Sequence, residues 1–415
     1  MSNYSFPLSP LRRTLTPIAG YDAGDDIFTV QPGSLNISYS DGNSFQNRGG
    51  VLAPNGKIVF VPSHTVVSGS YKAHIGIFDP ASQAADRPFT TIDITDQVAG
   101  LSRPSASWLG GVLAPNGKVY FVPAYSHHVG KFDPSDNTFS TIDISDKESS
   151  DWKYHGGVLA NNDKIYFVPH NADNVGVFDP SDDSFETVSI SVSQSWKYSG
   201  GVLAPNGKIV FVPWSTWSVG VFDPSDNSFN TYAISGTSYI NYHEKFVGGV
   251  LTPDGKVVLI PRFAKNIGLF DPSDNTFSVV AEPGVTYTNL PGFHGYAGGV
   301  LAPNGKVIFV PNMEYRNNDA IGVFNPSDRS FTTITGLLDK MRSDFVWRDW
   351  PNQKAGYWGG VLAPNGKIVF VPGSAGSHGG IGILDLGNQD LAYSVSGGIH
   401  EGWSSLLSPH FNKYP

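Results

Sequence analysis

Two adjacent His-Glu pairs, His243-Glu244 and His400-Glu401, are the residues of this chain best suited to metal chemistry. Imidazole and carboxylate groups are ordinary ligands of divalent metal ions. Adjacent side chains in an extended segment point to opposite faces, so one pair seldom supplies two ligands. A metal site would need both pairs to meet. We therefore treat it as the less favoured alternative and expect no cofactor.

Other signatures of catalysis are missing from the sequence. The 415 residues include no cysteine, which excludes disulfides, thiolate metal sites and a cysteine nucleophile. The chain also lacks the nucleophile elbow G-x-S-x-G, the metal motif H-E-x-x-H and a phosphate-binding loop. These absences favour a binding or structural role over an enzymatic one.

Tryptophan and histidine concentrate in polar segments that separate the apolar runs, or at the edges of those segments. The longest such segment, 336–354, mixes Trp, Arg and Asp, which is typical of a protein interface. Loops on a rigid scaffold are where binding residues concentrate. The predicted binding residues are Trp347, Trp350, Arg342, Arg348, Trp214, Trp217, Trp152, Trp196, His127, His128 and His170.

The elements that must position these residues form an internal repeat. The string GGVLAPNGK recurs with small changes, and neighbouring copies start between 44 residues (Gly156 to Gly200) and 61 residues (Gly49 to Gly110) apart. A period near 50 residues with variable insertions is typical of propeller blades. The Gly pairs begin at Gly49, Gly110, Gly156, Gly200, Gly248, Gly298 and Gly359.

Each repeat contains four short strand-like segments. In the copy that starts at Gly200, the turn 205–207 (PNG) joins the strands GGVLA and KIVFV, because Asn-Gly readily adopts the positive φ of a tight hairpin. Pro213 stops the second strand. VGVF and SFNTYAI follow, separated by the turn 223–227 (DPSDN). Four antiparallel strands per repeat predict an all-β fold, a β-propeller of four-stranded blades.

The number of blades depends on the chain ends. Six steps cover the 310 residues from Gly50 to Gly360, about 52 each, so 415 residues would hold about eight blades. Residues 21–29 can be aligned with 222–230, and 404–409 resemble GGVLAP. We predict one propeller with a degenerate first blade at 1–48, seven clear repeats at 49–396 and a closing segment at 397–415. Eight blades are favoured over seven, with the ring closed by pairing of N- and C-terminal segments.

Four-stranded meanders sort their connections onto two ends of the ring. The turns after strands one and three are nearly constant and form one end, which we call the underside. The loops after strands two and four vary and form the other, the mouth end. The Trp residues and all His residues except His410 belong to the mouth end. An aromatic residue two positions before the Gly pair recurs in six repeats and is interpreted as packing.

The repeat resembles two propeller families. Residues 204–213 (APNGKIVFVP), followed by VGVFDPSDN, resemble the surface-layer (YVTN) type, whose fold hosts many functions. The chain is also weakly similar to streptogramin lyase propellers, a resemblance that implies a metal-assisted eliminase with His and Glu in the channel. That family has Glu after its second strand. Here the corresponding positions are Pro62, Pro123, Pro169, Pro213, Pro261, Pro311 and Pro372.

We therefore expect a non-enzymatic propeller that presents its aromatic and His-rich mouth end to a protein or glycan, with a virion component as a more specific version. The alternative is a metal-dependent lyase- or lactonase-type enzyme. A net charge of −9 without basic runs argues against nucleic acid. The sequence shows no secretory signal and no membrane-spanning run, so membrane insertion is not expected and the virion surface and the cytoplasm both remain open.

Overall fold

The computed structural model describes residues 27–31, 47–62, 66–67, 70–71, 73–82, 89–99, 108–237, 244–281, 295–312, 320–334, 356–374 and 381–386. These residues form seven four-stranded antiparallel sheets, arranged as the blades of a β-propeller. The expected fold class is confirmed, but the preference for eight blades is wrong. The described part of the chain has seven blades because the N-terminal segment contributes a strand to the last blade.

The first strand of each blade lies innermost and packs against the first strands of its neighbours. The Gly pair makes this packing close. In blade 4, Gly200 has φ +82°, and a Cβ on Gly201 would lie 3.0 Å from Val158 of blade 3. The first strands are Asn47–Leu52, Trp108–Leu113, Tyr154–Leu159, Tyr198–Leu203, Phe246–Leu251, Tyr296–Leu301 and Gly356–Leu362.

The second strands are rich in β-branched residues and are completely buried in every blade for which their burial is described throughout. Burial on both faces explains why they form continuous apolar runs rather than an alternation of apolar and polar residues. The second strands are Ile58–Pro62, Val119–Pro123, Ile165–Pro169, Ile209–Pro213, Val257–Pro261, Val307–Pro311 and Ile368–Ser374.

The third strands pair with the second strands around a central glycine. Gly220, for example, pairs with Phe211 on one side and Thr231 on the other. A side chain at Gly220 would collide with the rings of Phe229 and Tyr198. The third strands are His74–Phe78, His128–Asp133, Asn174–Asp179, Ser218–Asp223, Asn266–Asp271, Ile321–Asn325 and Ile381–Asp385.

The fourth strands form the outer edge, and the N-terminal strand closes the ring. Phe28 pairs with Leu384 in blade 7 as Phe229 pairs with Phe222 in blade 4, so the predicted alignment of the N-terminus has the right register. The remaining residues of 1–48 that precede the first strand of blade 1, and all of 397–415, lie outside the described residues. The fourth strands are Phe89–Asp93, Thr138–Asp143, Ser184–Ser189, Ser228–Ala233, Thr276–Ala281, Ser330–Ile334 and, in blade 7, Ile27–Gln31.

Two small elements complete the described structure. Thr95–Val98 forms one helical turn, and Val66–Val67 pairs with Ser70–Tyr71 in the loop between the second and third strands of blade 1. Among the described residues, no helix has the length and apolar character needed to cross a membrane.

The aromatic residues two positions before the Gly pairs are packing residues, as predicted. Tyr198 contacts Phe211 and Phe229 at ring-centroid distances of 5.6 and 6.2 Å inside blade 4. Trp108 occupies the same position in blade 2, is completely buried, and donates its indole N–H to the His128 carbonyl at 2.8 Å. These rings fill the core of each blade.

Repeated hydrogen bonds link neighbouring blades at the underside. Asn206 in the PNG turn of blade 4 donates its side-chain N–H to the carbonyl of Pro272 in the next blade at 2.8 Å, while its Oδ1 accepts the Lys208 amide. Asn365 makes the same bond from blade 7 to Pro80 in blade 1. Asn55 and Asn116 repeat it. The constant turn therefore fastens each of these blades to the following one.

The acidic DPSDN turns are explained by local hydrogen bonds. Oδ1 of Asp133 accepts the amide and hydroxyl of Ser135, and Oδ2 accepts Lys118 at 2.7 Å. These bonds lower the pKa of Asp133 to about 2, because each of them favours the charged carboxylate. The hydrogen bonds of this carboxylate are made by the turn and by Lys118, as expected for an acidic residue that stabilises a tight turn.

Candidate functional site at the channel mouth

Two positions in each blade meet at the centre of the mouth end: the residue directly before the Gly pair and the residue directly after the Pro that ends strand two. We call them the mouth ring. Arg262 of blade 5 reaches Trp358 of blade 7, and two blades that are not neighbours can meet only at the central channel. The described members are Arg48, Leu109, His155, Ser199, Val247, Ala297, Trp358, Ala124, His170, Trp214, Arg262, Asn312 and Gly373.

The mouth ring changes from blade to blade, although the sequence on both sides of it is nearly constant. Blade 3 carries two histidines, blade 4 Ser and Trp, blade 5 Val and Arg, and blade 7 Trp and Gly. No two of the six blades in which both positions are described carry the same pair. An asymmetric set of side chains on a symmetric frame can recognise one asymmetric ligand.

A series of backbone hydrogen bonds fixes the mouth ring from blade 2 to blade 6. Each amide donates to the carbonyl of the preceding residue in the series, at 2.6 to 3.3 Å, and the first donates to Ala124. The bonds pass alternately within a blade and to the next blade, so they hold the ring at constant spacing. The successive donors are Lys153, His170, Lys197, Trp214, Lys245, Arg262, Gly295 and Asn312.

Three of these donors are buried lysines at equivalent positions in blades 3, 4 and 5: Lys153, Lys197 and Lys245. Each ammonium group binds the loop after the second strand of the preceding blade. Lys197 Nζ donates to the Asn171 and Gln194 carbonyls at 3.1 and 2.6 Å and contacts Asp173 at 2.9 Å. Burial of a charged ammonium group is tolerated because these acceptors replace water.

Aromatic side chains form an arc above this part of the ring. The rings of Tyr125 and Trp152 lie 4.4 Å apart, and those of Trp152 and Trp196 are stacked at 6.3 Å with 30° between their planes. His170 lies beneath both indoles, at 6.3 and 5.6 Å. Trp196 is 43% exposed, so part of the arc is open to solvent.

The residues that present this arc have a strained backbone. Trp152, Trp196 and Glu244, each directly before a buried lysine, have φ values of +53°, +63° and +59°. Left-handed conformations are uncommon for residues other than Gly, Asn and Asp, and they concentrate at functional sites. Asn171 supports two of them, since its side chain bonds the Asp151 carbonyl and accepts the Trp196 amide.

Trp217 extends the aromatic surface from blade 4 towards blade 5 and is 48% exposed. The Lys245 ammonium group lies 4.3 Å from the centre of its indole ring, a cation–π contact, and also donates to the Ser215 carbonyl at 2.8 Å. Burial lowers the pKa of Lys245 to about 8. The lysine and the loop carbonyl thus hold the Trp217 indole at the surface.

The two histidines of blade 3 lie edge to face, with ring centroids 5.2 Å apart. Nδ1 of His170 lies 2.7 Å from the Tyr198 carbonyl, which can only accept, so Nδ1 carries the proton. Burial lowers the pKa of His170 to about 4. At neutral pH this imidazole is therefore uncharged.

A cationic and aromatic cluster adjoins these histidines, since the Trp214 ring lies 5.7 Å from His155 and 5.9 Å from His170. The Arg262 guanidinium lies over Trp214 at 5.2 Å and over Trp358 at 5.0 Å, and Arg48 lies over Trp358 at 3.8 Å. Glu244 accepts the Arg262 Nε–H at 2.7 Å. Gly373 is required here, because a Cβ at that position would lie 1.5 Å from Cδ1 of Trp358.

Except for Trp108, whose ring packs inside blade 2, the described Trp and His residues lie at the mouth end, but they do not form one cluster. Trp214 and His170 are buried in the mouth ring, whereas Trp152, Trp196 and Trp217 are part of the more exposed surface. His127 and His128 lie at the start of the third strand of blade 2, in its outer half, where His128 pairs with Asp143 at 3.8 Å.

Several predicted site residues fall outside the described residues. They are Trp347, Trp350, Arg342 and Arg348 of the candidate interface, and His243, His400 and Glu401 of the alternative metal site. Glu244 is described and forms the ion pair with Arg262. Among the described residues, no group of three or more His, Asp or Glu side chains could hold a metal ion.

Sequence reasoning missed the cationic part of the site. Arg48 and Arg262 occupy equivalent ring positions to Trp358 and Trp214, but they are ordinary residues in the linear sequence. The missed signal was the contrast between variable positions and constant flanks. Lys153 and Lys197 belong to the two WKY triplets, which drew attention through their tryptophans alone.

No protein-family model and no curated protein sequence matches the chain. Solved structures match its fold. A streptogramin B lyase has a TM-score of 0.60 and 14% identity, covering 87% of this chain and 97% of the lyase. A catalytically inactive virginiamycin B lyase from Staphylococcus aureus, solved with quinupristin, has a TM-score of 0.61 and 13% identity, with coverages of 87% and 99%.

The fold is also similar to part of an extracellular domain. The extracellular domain of a putative one-component system from B. thetaiotaomicron matches with a TM-score of 0.52 and 9% identity, over 86% of this chain and 42% of that one. These structural similarities show the β-propeller fold. They do not establish an activity, because one fold hosts many functions.

Proposed function

We propose that this protein is a non-enzymatic binding propeller that holds a carbohydrate chain against the aromatic arc at its mouth end. The observation that carries the proposal is the stacked pair Trp152–Trp196, held by a strained backbone, together with the exposed Trp217 of the same end. The face of an indole is electron-rich, and it suits the weakly positive C–H groups of a sugar ring.

The surroundings of the arc support a glycan over a protein. Trp196 and Trp217 are the only exposed large hydrophobic side chains among the described residues. A stable protein interface buries about 1,200 Å² or more and is built around an apolar core. A small indole surface beside Asn171, Asp151 and Asp173 fits an amphipathic ligand with hydroxyl groups better than such a core.

The site is single and composite, built from three successive blades. The arc runs from Tyr125 in blade 2 through Trp152 to Trp196 at the entrance of blade 4. Equivalent positions in blade 5 carry Glu244 instead of Trp. A ligand that spans neighbouring blades would therefore bind in one orientation only. The residues of 336–354 stay a predicted protein contact, and a place in a virion or another larger assembly stays a prediction.

The test is a printed array of neutral and acidic oligosaccharides, followed by titration of the strongest hit. Trp196→Ala together with Trp217→Ala should weaken that hit at least tenfold, and Trp196→Phe should keep most of the affinity. Tyr232→Ala, an aromatic deletion on the outer strand of blade 4, is the matched control. Absence of any glycan hit, or equal binding by the double variant, would overturn the proposal.

The alternative metal-dependent enzyme has less support. Glu244, the one described member of its candidate site, already neutralises Arg262. A purified sample analysed for stoichiometric bound metal tests this alternative directly.

A further inference from the structure

Three buried hydrogen-bond donors that lie together in the mouth ring have no acceptor among the described residues. They are Nη1 of Arg262 and the indole Nε1 atoms of Trp214 and Trp358. All three side chains are at least nine-tenths buried. They form one group, because the Arg262 guanidinium lies over both indole rings, at 5.2 and 5.0 Å.

Such a group is costly without a partner. A buried donor that loses its hydrogen bond to water destabilises a protein, and a charged donor does so more strongly. Native structures rarely keep one such donor, and a cluster of them points to a missing acceptor. Here the group contains donors from a guanidinium and two indoles, and these groups cannot accept a hydrogen bond.

We propose that this cluster is an oxyanion-binding pocket, which accepts a carboxylate or sulfate group at Arg262, Trp214 and Trp358. A guanidinium presents five N–H donors in a planar fork that suits such groups. Glu244 uses Nε and leaves Nη1 for the ligand. Two indole N–H groups would add neutral hydrogen bonds without adding charge.

The surrounding residues hold the pocket in place before a ligand arrives. The backbone of Trp214 and Arg262 belongs to the inter-blade hydrogen-bond series, and Gly373 leaves room for the Trp358 indole. Preorganised donors need little rearrangement on binding, which raises affinity for a given set of contacts.

Combined with the proposed function, the pocket makes the ligand an acidic glycan, with a uronate carboxylate or a sulfate ester in the channel. This extension rests on the carbohydrate proposal, whereas the oxyanion pocket does not. The first experiment therefore uses anions alone, so that the two proposals can fail separately.

The probes are sodium acetate and sodium sulfate, with sodium chloride at equal ionic strength as the reference. The protein is labelled with ¹⁵N-tryptophan, and Trp214→Phe and Trp358→Phe identify two of its nine indole N–H signals. We expect both signals to move downfield and saturate with acetate or sulfate but not with chloride. Saturation by one anion alone would distinguish a carboxylate site from a sulfate site.

The variants separate recognition from folding. Trp214→Phe keeps an aromatic ring and removes one donor. We expect it to lower the affinity for the saturating anion about tenfold, or about 1.4 kcal/mol. Trp108→Phe, which removes an indole N–H that already has an acceptor, should leave anion affinity unchanged. Arg262→Gln should abolish saturation, and Arg262→Lys, which retains the charge that pairs with Glu244, should weaken it.

Some outcomes would overturn the pocket. These are no saturable shift with either anion, shifts that persist in Arg262→Gln, or equal losses in Trp214→Phe and Trp108→Phe. If the anions bind but the glycan array is empty, the pocket stands and the carbohydrate function fails. If the protein binds the neutral and the acidic glycans of the array equally, only the proposal of an acidic glycan fails.

Discussion

The underside and the mouth end of this ring are built on the same repeated frame, but they use it in opposite ways. At the underside, one turn sequence repeats the same Asn-to-Pro hydrogen bond between blades, as at Asn55 and Asn206. At the mouth, the backbone repeats while the side chains differ, from His170 to Trp214 to Arg262. Repetition indicates where stability resides, and variation on a fixed backbone indicates where recognition resides.

The two ends also differ in conformational cost. The underside residues with positive φ, such as Asn137 and Asn227, are of a type that tolerates the left-handed region, with Arg329 as an exception. The mouth places Trp152, Trp196 and Glu244 in that region. The mouth also buries donors that have no acceptor within the described part of the chain, which supports a ligand rather than folding as the reason for these residues.

The largest expected effect is at the underside. Asn→Asp at positions 55, 116, 206 and 365 removes the inter-blade donor and keeps the turn-forming oxygen, as Asp254 does naturally in blade 5. Each lost bond should cost about 1 kcal/mol, so the fourfold variant should lose about 4 kcal/mol of unfolding free energy in urea. Ligand affinity at the mouth should not change.

Asn206→Ala is the comparison for this series, since it also removes the oxygen that accepts the Lys208 amide. It should therefore cost more than Asn206→Asp. A fourfold variant with unchanged stability would contradict the role assigned to the underside bonds.

A smaller effect should appear at the mouth when the pH falls. Folding lowers the pKa of His170 from 6.5 to about 4, so the unfolded chain binds more protons between these values. The stability that the neutral His170 contributes is fully present above pH 6.5 and is lost as the pH falls towards 4. From pH 7 to 4.5 the loss from this group should be about 2 kcal/mol.

His170→Asn provides the control, because its side-chain amide can replace the Nδ1 donor to the Tyr198 carbonyl without titrating. Urea unfolding at pH 7, 5.5 and 4.5 should give a flatter profile for this variant than for the wild type. Parallel profiles would show that His170 does not titrate as its burial requires.

The smallest stability effect is expected at the exposed arc. Trp196→Gly relieves a left-handed tryptophan but also removes its contact with Trp152, so stability should change between zero and a gain of about 1 kcal/mol. Glycan binding should nevertheless be lost. Asn227→Gly, a left-handed residue of the underside, should change neither property measurably, and a loss of binding there would contradict the separation of the two ends.

Much of the fold follows from local sequence, as the repeat at Gly200 illustrates. Its Asn-Gly turn, β-branched second strand and Pro213 each specify a local conformation, and the residues themselves encode that conformation. The number of blades did not follow. Phe28 could be aligned with Phe229, but only pairing with Leu384 shows that the N-terminal strand completes blade 7 instead of starting a blade of its own.

Only part of the candidate site could be predicted from the sequence. Trp152, Trp196 and Trp217 could be assigned to the mouth end because a meander alternates its connections between two ends. Arg262 and Trp358 could not be linked, since they are almost a hundred positions apart and belong to blades that are not neighbours.

By itself, the sequence of this protein determined the blade, its constant underside and the end that carries the indoles and imidazoles, because turn chemistry and strand periodicity act between near neighbours. Only the tertiary structure decided how the ring closes and which side chains share the channel. Closure brings together residues that are far apart in the chain, and their proximity depends on the radius and blade count of the whole ring.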